Sequence, residues 1–237
     1  MRPLACRSAL PSYEGTMMPR LICMLAAVGT SLAVSALSAP SAKGLPTDPT
    51  WSVSAGSAAN GAMISFTGAS TGDTPQITWN DVTSDTVFIC DSGKVTGNMN
   101  VGTGLAADGI ASLDGTSTAL SCFGPFSLEF NFSGSGTWRF DAGSYSGGVT
   151  TGTISDITMT EANPDSQCSF DLNGTIDAQY NNATQGLTLS GATAGLAQSK
   201  TDGCFGLWND GDQWSIQAIF HLVADDAADN PIAITSP

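Results

Sequence analysis

Apolar and polar residues alternate with a period of two along much of this chain. From Phe170 to Tyr180 the apolar or small positions are Phe170, Leu172, Gly174, Ile176, Ala178 and Tyr180, separated by Asp171, Asn173, Thr175, Asp177 and Gln179. A strand sends successive side chains to opposite faces, so this segment predicts a strand with one buried and one wet face. The same alternation runs through Val95, Gly97, Met99 and Val101, through Phe126, Leu128, Phe130 and Phe132, and through Trp214, Ile216, Ala218, Phe220 and Leu222. Turn chemistry divides the runs at Asp91-Ser-Gly93, Asp108-Gly109, Asp114-Gly115 and Asn209-Asp-Gly211. Helical periodicity is nearly absent. The expected fold is all-β, an antiparallel sandwich or barrel of about ten to twelve short strands.

The pattern also repeats at long range. Ile77-Thr78, Cys90, Cys122-Phe-Gly124 and the run from Phe126 to Phe132 have counterparts in Ile157-Thr158, Cys168, Cys204-Phe-Gly206 and the run from Trp214 to Phe220. The offsets are 80, 78, 82 and 88 residues, as expected if the loops took the insertions. Two similar β repeats, at about 76–146 and 150–237, are therefore expected within a β domain spanning 51–237. Residues 43–50 read as a flexible leader and 225–230 as an acidic loop.

The amino terminus changes the picture of where this domain works. Arg20 precedes an apolar run from Leu21 to Leu37, followed by the small residues and proline of Ser38-Ala-Pro-Ser-Ala42. That order of charge, apolar core and small-residue exit is a secretory signal layout. The run is too short and too rich in Ser, Thr and Gly for a membrane span. Residues 1–42 are read as the signal, with Met17 or Met18 as the expected start and cleavage after Ser38, Ser41 or Ala42.

Removing the signal leaves 195 residues with four basic side chains (Lys43, Lys94, Arg139, Lys200) and twenty acidic ones, a net charge of about −16 against −14 for the whole chain. Such a surface repels phosphate backbones and anionic membranes, which excludes nucleic acid as a partner class. Of the six cysteines, Cys90, Cys122, Cys168 and Cys204 remain. Four cysteines in an exported domain predict two disulfides with three possible connectivities. Equivalent pairing within the two repeats selects Cys90–Cys122 and Cys168–Cys204.

In the second half, Gly152-Thr-Ile154, Cys168 with Gly174, Tyr180-Asn-Asn-Ala-Thr184 with Leu187 and Leu189, Gly203-Cys-Phe-Gly-Leu207 and Gly211-Asp212 form a recognisable set. In these residues the chain resembles a group of secreted actinobacterial β proteins with paired cysteines and no assigned activity. The resemblance implies export and a β scaffold; it brings no catalytic residues.

Candidate chemistry is sparse. His221 is the only histidine, and alternation puts it on the face opposite Trp214 and Phe220, with no nucleophile elbow to serve. Glu129 and Glu161 are the only glutamates after the signal and the only candidate glutamate pair for glycoside hydrolysis. In Trp208-Asn-Asp-Gly-Asp-Gln-Trp214, two tryptophans flank a polar turn. Flat rings beside Asn209, Asp210 and Asp212 are the ingredients of a sugar site, and Asp210 with Asp212 is a weak calcium candidate. A plain hairpin turn with Trp214 in the core accounts for the same residues. The reading these features favour is a secreted, non-enzymatic extracellular or cell-surface interaction module. It needs no cofactor and no stable membrane insertion, and its partner is an extracellular polysaccharide or protein. The alternatives are a carbohydrate-binding module, a small secreted hydrolase, and an envelope β-barrel pore, since alternation alone does not say whether the apolar face looks inward.

Overall fold

The computed structural model describes residues 50–70, 77–163, 168–191, 195–204 and 206–236. The expected signal at 1–42 and all of the leader at 43–50 except Thr50 lie outside the described residues. The strands are β1 (Trp51–Ala55), β2 (Met63–Ala69), β3 (Ile77–Asp81), β4 (Thr86–Cys90), β5 (Lys94–Asn100), β6 (Gly102–Leu105), β7 (Ala111–Asp114), β8 (Ala119–Phe123), β9 (Glu129–Ser135), β10 (Thr137–Ser146), β11 (Val149–Ala162), β12 (Ser169–Asn181), β13 (Gly186–Ser190), β14 (Leu196–Asp202), β15 (Gln213–Ala224) and β16 (Ile232–Thr235). Every strand pairing among them is antiparallel.

Thirteen of these strands make one sheet, and its pairings close on themselves. β2 and β3 share one wall, as do β4 and β5, β7 and β8, β9 and β10, and β13 and β14, whereas β11, β12 and β15 each run the full height. The walls follow one another in chain order, and the pairing of β15 with both β2 and β3 shuts the ring. The result is an up-and-down barrel, which leaves the sheet no open edge. Sixteen short strands appear where ten to twelve were expected because most walls break at mid-height. The breaks are local: a 3-10 turn at Gly115–Ser117, Gly136 at φ +70, and a register shift between Ile154 and Ile157 with Asp156 at φ +60. Opposite the last, a Cβ on Gly174 would lie 2.2 Å from the carbonyl oxygen of Gly195, so only glycine fits where β12 passes the β13–β14 break.

Alternation then sorts the side chains. On β12, Phe170, Leu172, Ile176, Ala178 and Tyr180 are buried while Asn173, Thr175, Asp177 and Gln179 face solvent. On β15, Trp214, Ile216, Ala218, Phe220 and Leu222 are all buried. The apolar side of the barrel therefore looks inward, the reverse of a lipid-embedded barrel. One expectation is corrected here. Phe126 and Leu128 do not continue the alternation of Phe130 and Phe132; they sit in a turn opened by Pro125, and Phe126 is 86% exposed.

Because the walls alternate in direction, the turns at 82–85, 124–128 and 206–212 lie at one end. At the other end β16, β1 and β6 form a three-stranded sheet whose Ile234 lines a small apolar gap together with Phe66, Tyr180 and Leu222. Strands of both expected repeats belong to the one barrel. Cys90 and Cys122 face each other on β4 and β8 and are disulfide-bonded, and Cys168 is bonded to Cys204, each bridge joining neighbouring walls. The two bridges are the pairs expected from the repeat.

Candidate functional site

The end that carries these turns is filled with rings. Trp79 stacks on Phe132 at 5.3 Å, Phe88 meets Phe130 edge-on at 4.8 Å, and Trp214 lies 5.2 Å from Phe88 and 5.1 Å from Phe170. Trp208, in the turn before β15, packs over Phe130 at 5.5 Å and Phe170 at 6.3 Å. These contacts decide the fate of the expected sugar platform. Trp208 is 5% exposed and Trp214 is fully buried, so neither presents a flat face to a ligand, and the Trp214 Nε1–H is held by Gln198 Oε1 at 2.8 Å.

The polar residues between the two tryptophans are occupied by the turn. The Asp212 carboxylate accepts the Asn209 N–H at 2.7 Å, and Asp210 accepts the Thr201 N–H at 2.8 Å, which holds the Asp210 carboxyl below its ordinary value. Asn209 and Asp210 are exposed on an open hollow with Trp208 buried at its side. Among the described residues no three His, Cys, Asp or Glu side chains converge as a metal site. His221 is exposed on β15, with its Nδ1 3.2 Å from the Thr184 carbonyl oxygen. Glu129 lies on the outer face and accepts from the Ser121 hydroxyl at 3.0 Å, while Glu161 is inside the barrel, so the two glutamates do not share a face.

Glu161 is the residue that alternation could have located. Ile157, Met159 and Glu161 share a face of β11, and all three are buried. Glu161 has no exposed surface and neither carboxylate oxygen has a hydrogen-bond partner. Desolvation without a counter-charge pushes its carboxyl up to about 8. Asp81, also fully buried near the same end, is treated differently: its oxygens accept the Thr83 and Ser84 N–H groups and the Ser84 hydroxyl.

The interior offers little room. An apolar cavity of about 30 Å³ lies inside the barrel, lined by residues such as Trp79, Leu113, Trp138, Met159 and Phe220. That is close to the volume of a single water molecule, far below the several hundred Å³ of a ligand pocket.

The outside of the aromatic end carries a different feature. Val87 and Ile89 project outward from β4 at 48% and 42% exposure. Ile89 is directly opposite Phe123 on β8, which is 45% exposed, and Phe126 follows in the next turn. Phe126 and Ser127 both sit at positive φ, +61° and +57°. Backbone strain of this kind in a bulky residue costs on the order of 1–3 kcal/mol and concentrates at functional sites. Four apolar side chains thus form an exposed rim on neighbouring walls, edged by Glu129 opposite Phe123.

Compared with family models, curated proteins and solved structures, the chain matches none.

Proposed function

We propose that the chain is an exported, non-enzymatic binding protein that docks a polypeptide partner on the rim formed by Val87, Ile89, Phe123 and Phe126. The observation that carries this reading is Phe126: a large apolar side chain held almost wholly in solvent by a left-handed backbone. A folding sequence under no other demand would place a small or polar residue there. The filled interior supports surface contact over carriage of a small molecule inside the barrel. The two disulfides are compatible with an oxidising, extracellular setting.

Charge narrows the partner. Acidic side chains outnumber basic ones 21 to 7, and two of the three described cations, Arg139 and Lys200, are held in ion pairs. The resulting field attracts cationic surfaces and speeds their encounter. The expected partner face combines apolar side chains with Lys or Arg.

A fluorescein-labelled synthetic peptide of alternating Lys and Leu is the probe. Its anisotropy should report binding that weakens at least about tenfold in the double variant Ile89→Ser, Phe126→Ser and weakens as salt rises. Val223→Ser, at an exposed apolar position on β15 next to the far end, should leave it unchanged. Equal binding by all three proteins, or no binding by any, overturns the reading.

A further inference from the structure

Glu161 stands on β11 between Phe132 of β9 and Phe170 of β12, its direct neighbours in the sheet. The rings of those two phenylalanines meet edge to face at 6.3 Å. The carboxyl is sealed among them, fully buried and with both oxygens unpartnered. An ionised carboxylate in such a place costs several kcal/mol unless a cation or hydrogen-bond donors compensate it.

Among the described residues no cation is buried and no donor reaches either carboxylate oxygen. From β9 the inward residues are Phe130 and Phe132; from β12, Phe170, Leu172 and the disulfide-bonded Cys168. From β14 and β15 they are Leu196, Gln198, Trp214 and Ile216, and Gln198 is committed to Trp214 and Thr201. Among the described residues the other buried titratable groups at this end are Asp81 on β3 and Asp212 in the turn before β15, both like-charged and both engaged by local backbone, while Asp85, Glu129, Asp202 and Asp210 face solvent. No Lys, Arg or His is buried among the described residues.

Trp208 belongs to the same ring cluster. It is the one ring of the cluster that stands on a turn and not on a strand, and its Nε1–H has no partner. It packs on Phe130 and Phe170, the second of which adjoins Glu161.

We propose that Glu161 is a proton-operated latch on the aromatic end. While it carries a proton the chamber stays dry and Trp208 stays seated. When the proton leaves, the carboxylate draws in water, Trp208 unseats, and the ring cluster becomes accessible next to the rim. The latch does not depend on the binding function proposed for that rim.

The transition is sought between about pH 5 and about pH 10, spanning the ordinary and the raised carboxyl range. Tryptophan emission and acrylamide quenching read the seating of Trp208, far-UV circular dichroism reads the fold, and the infrared carbonyl band of a protonated carboxylic acid reads Glu161 itself. In the native protein the acid band should persist at neutral pH. It should fade together with a reversible rise in quenching, at a midpoint near 8. Far-UV ellipticity should stay constant across that step. Glu161→Gln and Glu161→Met should lack the band and remain quenching-resistant throughout. The latch is overturned if the band is absent at neutral pH in the native protein, if quenching does not change with pH, if the variants keep the transition, or if ellipticity is lost in the same step.

Discussion

The side chain of Asn182 treats Ile234 as a neighbouring strand would. Its Nδ2 donates to the Ile234 carbonyl oxygen at 2.9 Å and its Oδ1 accepts the Ile234 N–H at 3.0 Å. Gln185 repeats the arrangement two residues earlier, donating to the Ile232 carbonyl oxygen at 2.9 Å and accepting the Ile232 N–H at 2.8 Å. Both amides belong to the turn between β12 and β13, and together they hold the outer edge of β16. Tyr180 adds a third contact, its hydroxyl donating to the Ile232 carbonyl oxygen, and burial pushes its phenol above the ordinary value.

Removing either amide should therefore orphan a backbone N–H of a buried strand, that of Ile234 or of Ile232, while Thr150 and Tyr180 still donate to the two carbonyl oxygens. Asn182→Ala and Gln185→Ala are each expected to cost about 1–3 kcal/mol in denaturant unfolding, with early hydrogen exchange at Ile232 and Ile234. Unchanged exchange at those amides would show that the clamp is dispensable.

Glu161 gives the global stability an unusual pH dependence. Burial raises its carboxyl in the folded state from the ordinary value of about 4.5 to about 8. Between those values the native state holds a proton that the unfolded chain has released. The contribution is thus fully present below about 4.5 and is lost as pH rises through about 8. Stability should fall by up to roughly 1.4 kcal/mol per pH unit across this window, before the opposite trend of ordinary carboxylates is added. Glu161→Gln should flatten the fall and be the more stable protein at pH 8; a parallel pH profile in the two proteins would exclude the effect.

The disulfides span 32 and 36 residues. Each is expected to contribute about 3–4 kcal/mol in the chain-entropy picture. Cys168→Ser with Cys204→Ser should also loosen the turn that carries Trp208, because Cys204 anchors its start to β12. Near-UV circular dichroism at native conditions should respond more to this pair than to Cys90→Ser with Cys122→Ser.

Phe126 separates stability from function. Glycine accepts a positive φ without the Cβ penalty, and the Phe126 side chain buries little. Phe126→Gly should leave the thermal midpoint equal or slightly higher while weakening the Lys/Leu peptide as strongly as the serine variant does. A lower midpoint would mean that the ring supports the fold.

Local pattern carried the strands. In β12 and β15 strict alternation sorts buried from wet positions, because a strand's side-chain period is two whatever surrounds it. The cysteine pairs were readable from the spacing of the two echoing segments. The same local logic misled at Phe126, where Pro125 opens a turn inside an apparently alternating run. It named Glu161 only as half of a glutamate pair, although its place in the phase of Ile157 and Met159 was visible. What no local pattern contains is the meeting of β15 with β2 and β3, which turns a meander into a closed barrel, and the arrival of Trp208 over the rings beside Glu161. Those contacts join residues far apart in the chain, and it is closure that strips the carboxyl of water. Periodicity therefore decided which face each residue takes, and tertiary packing decided what that face meets.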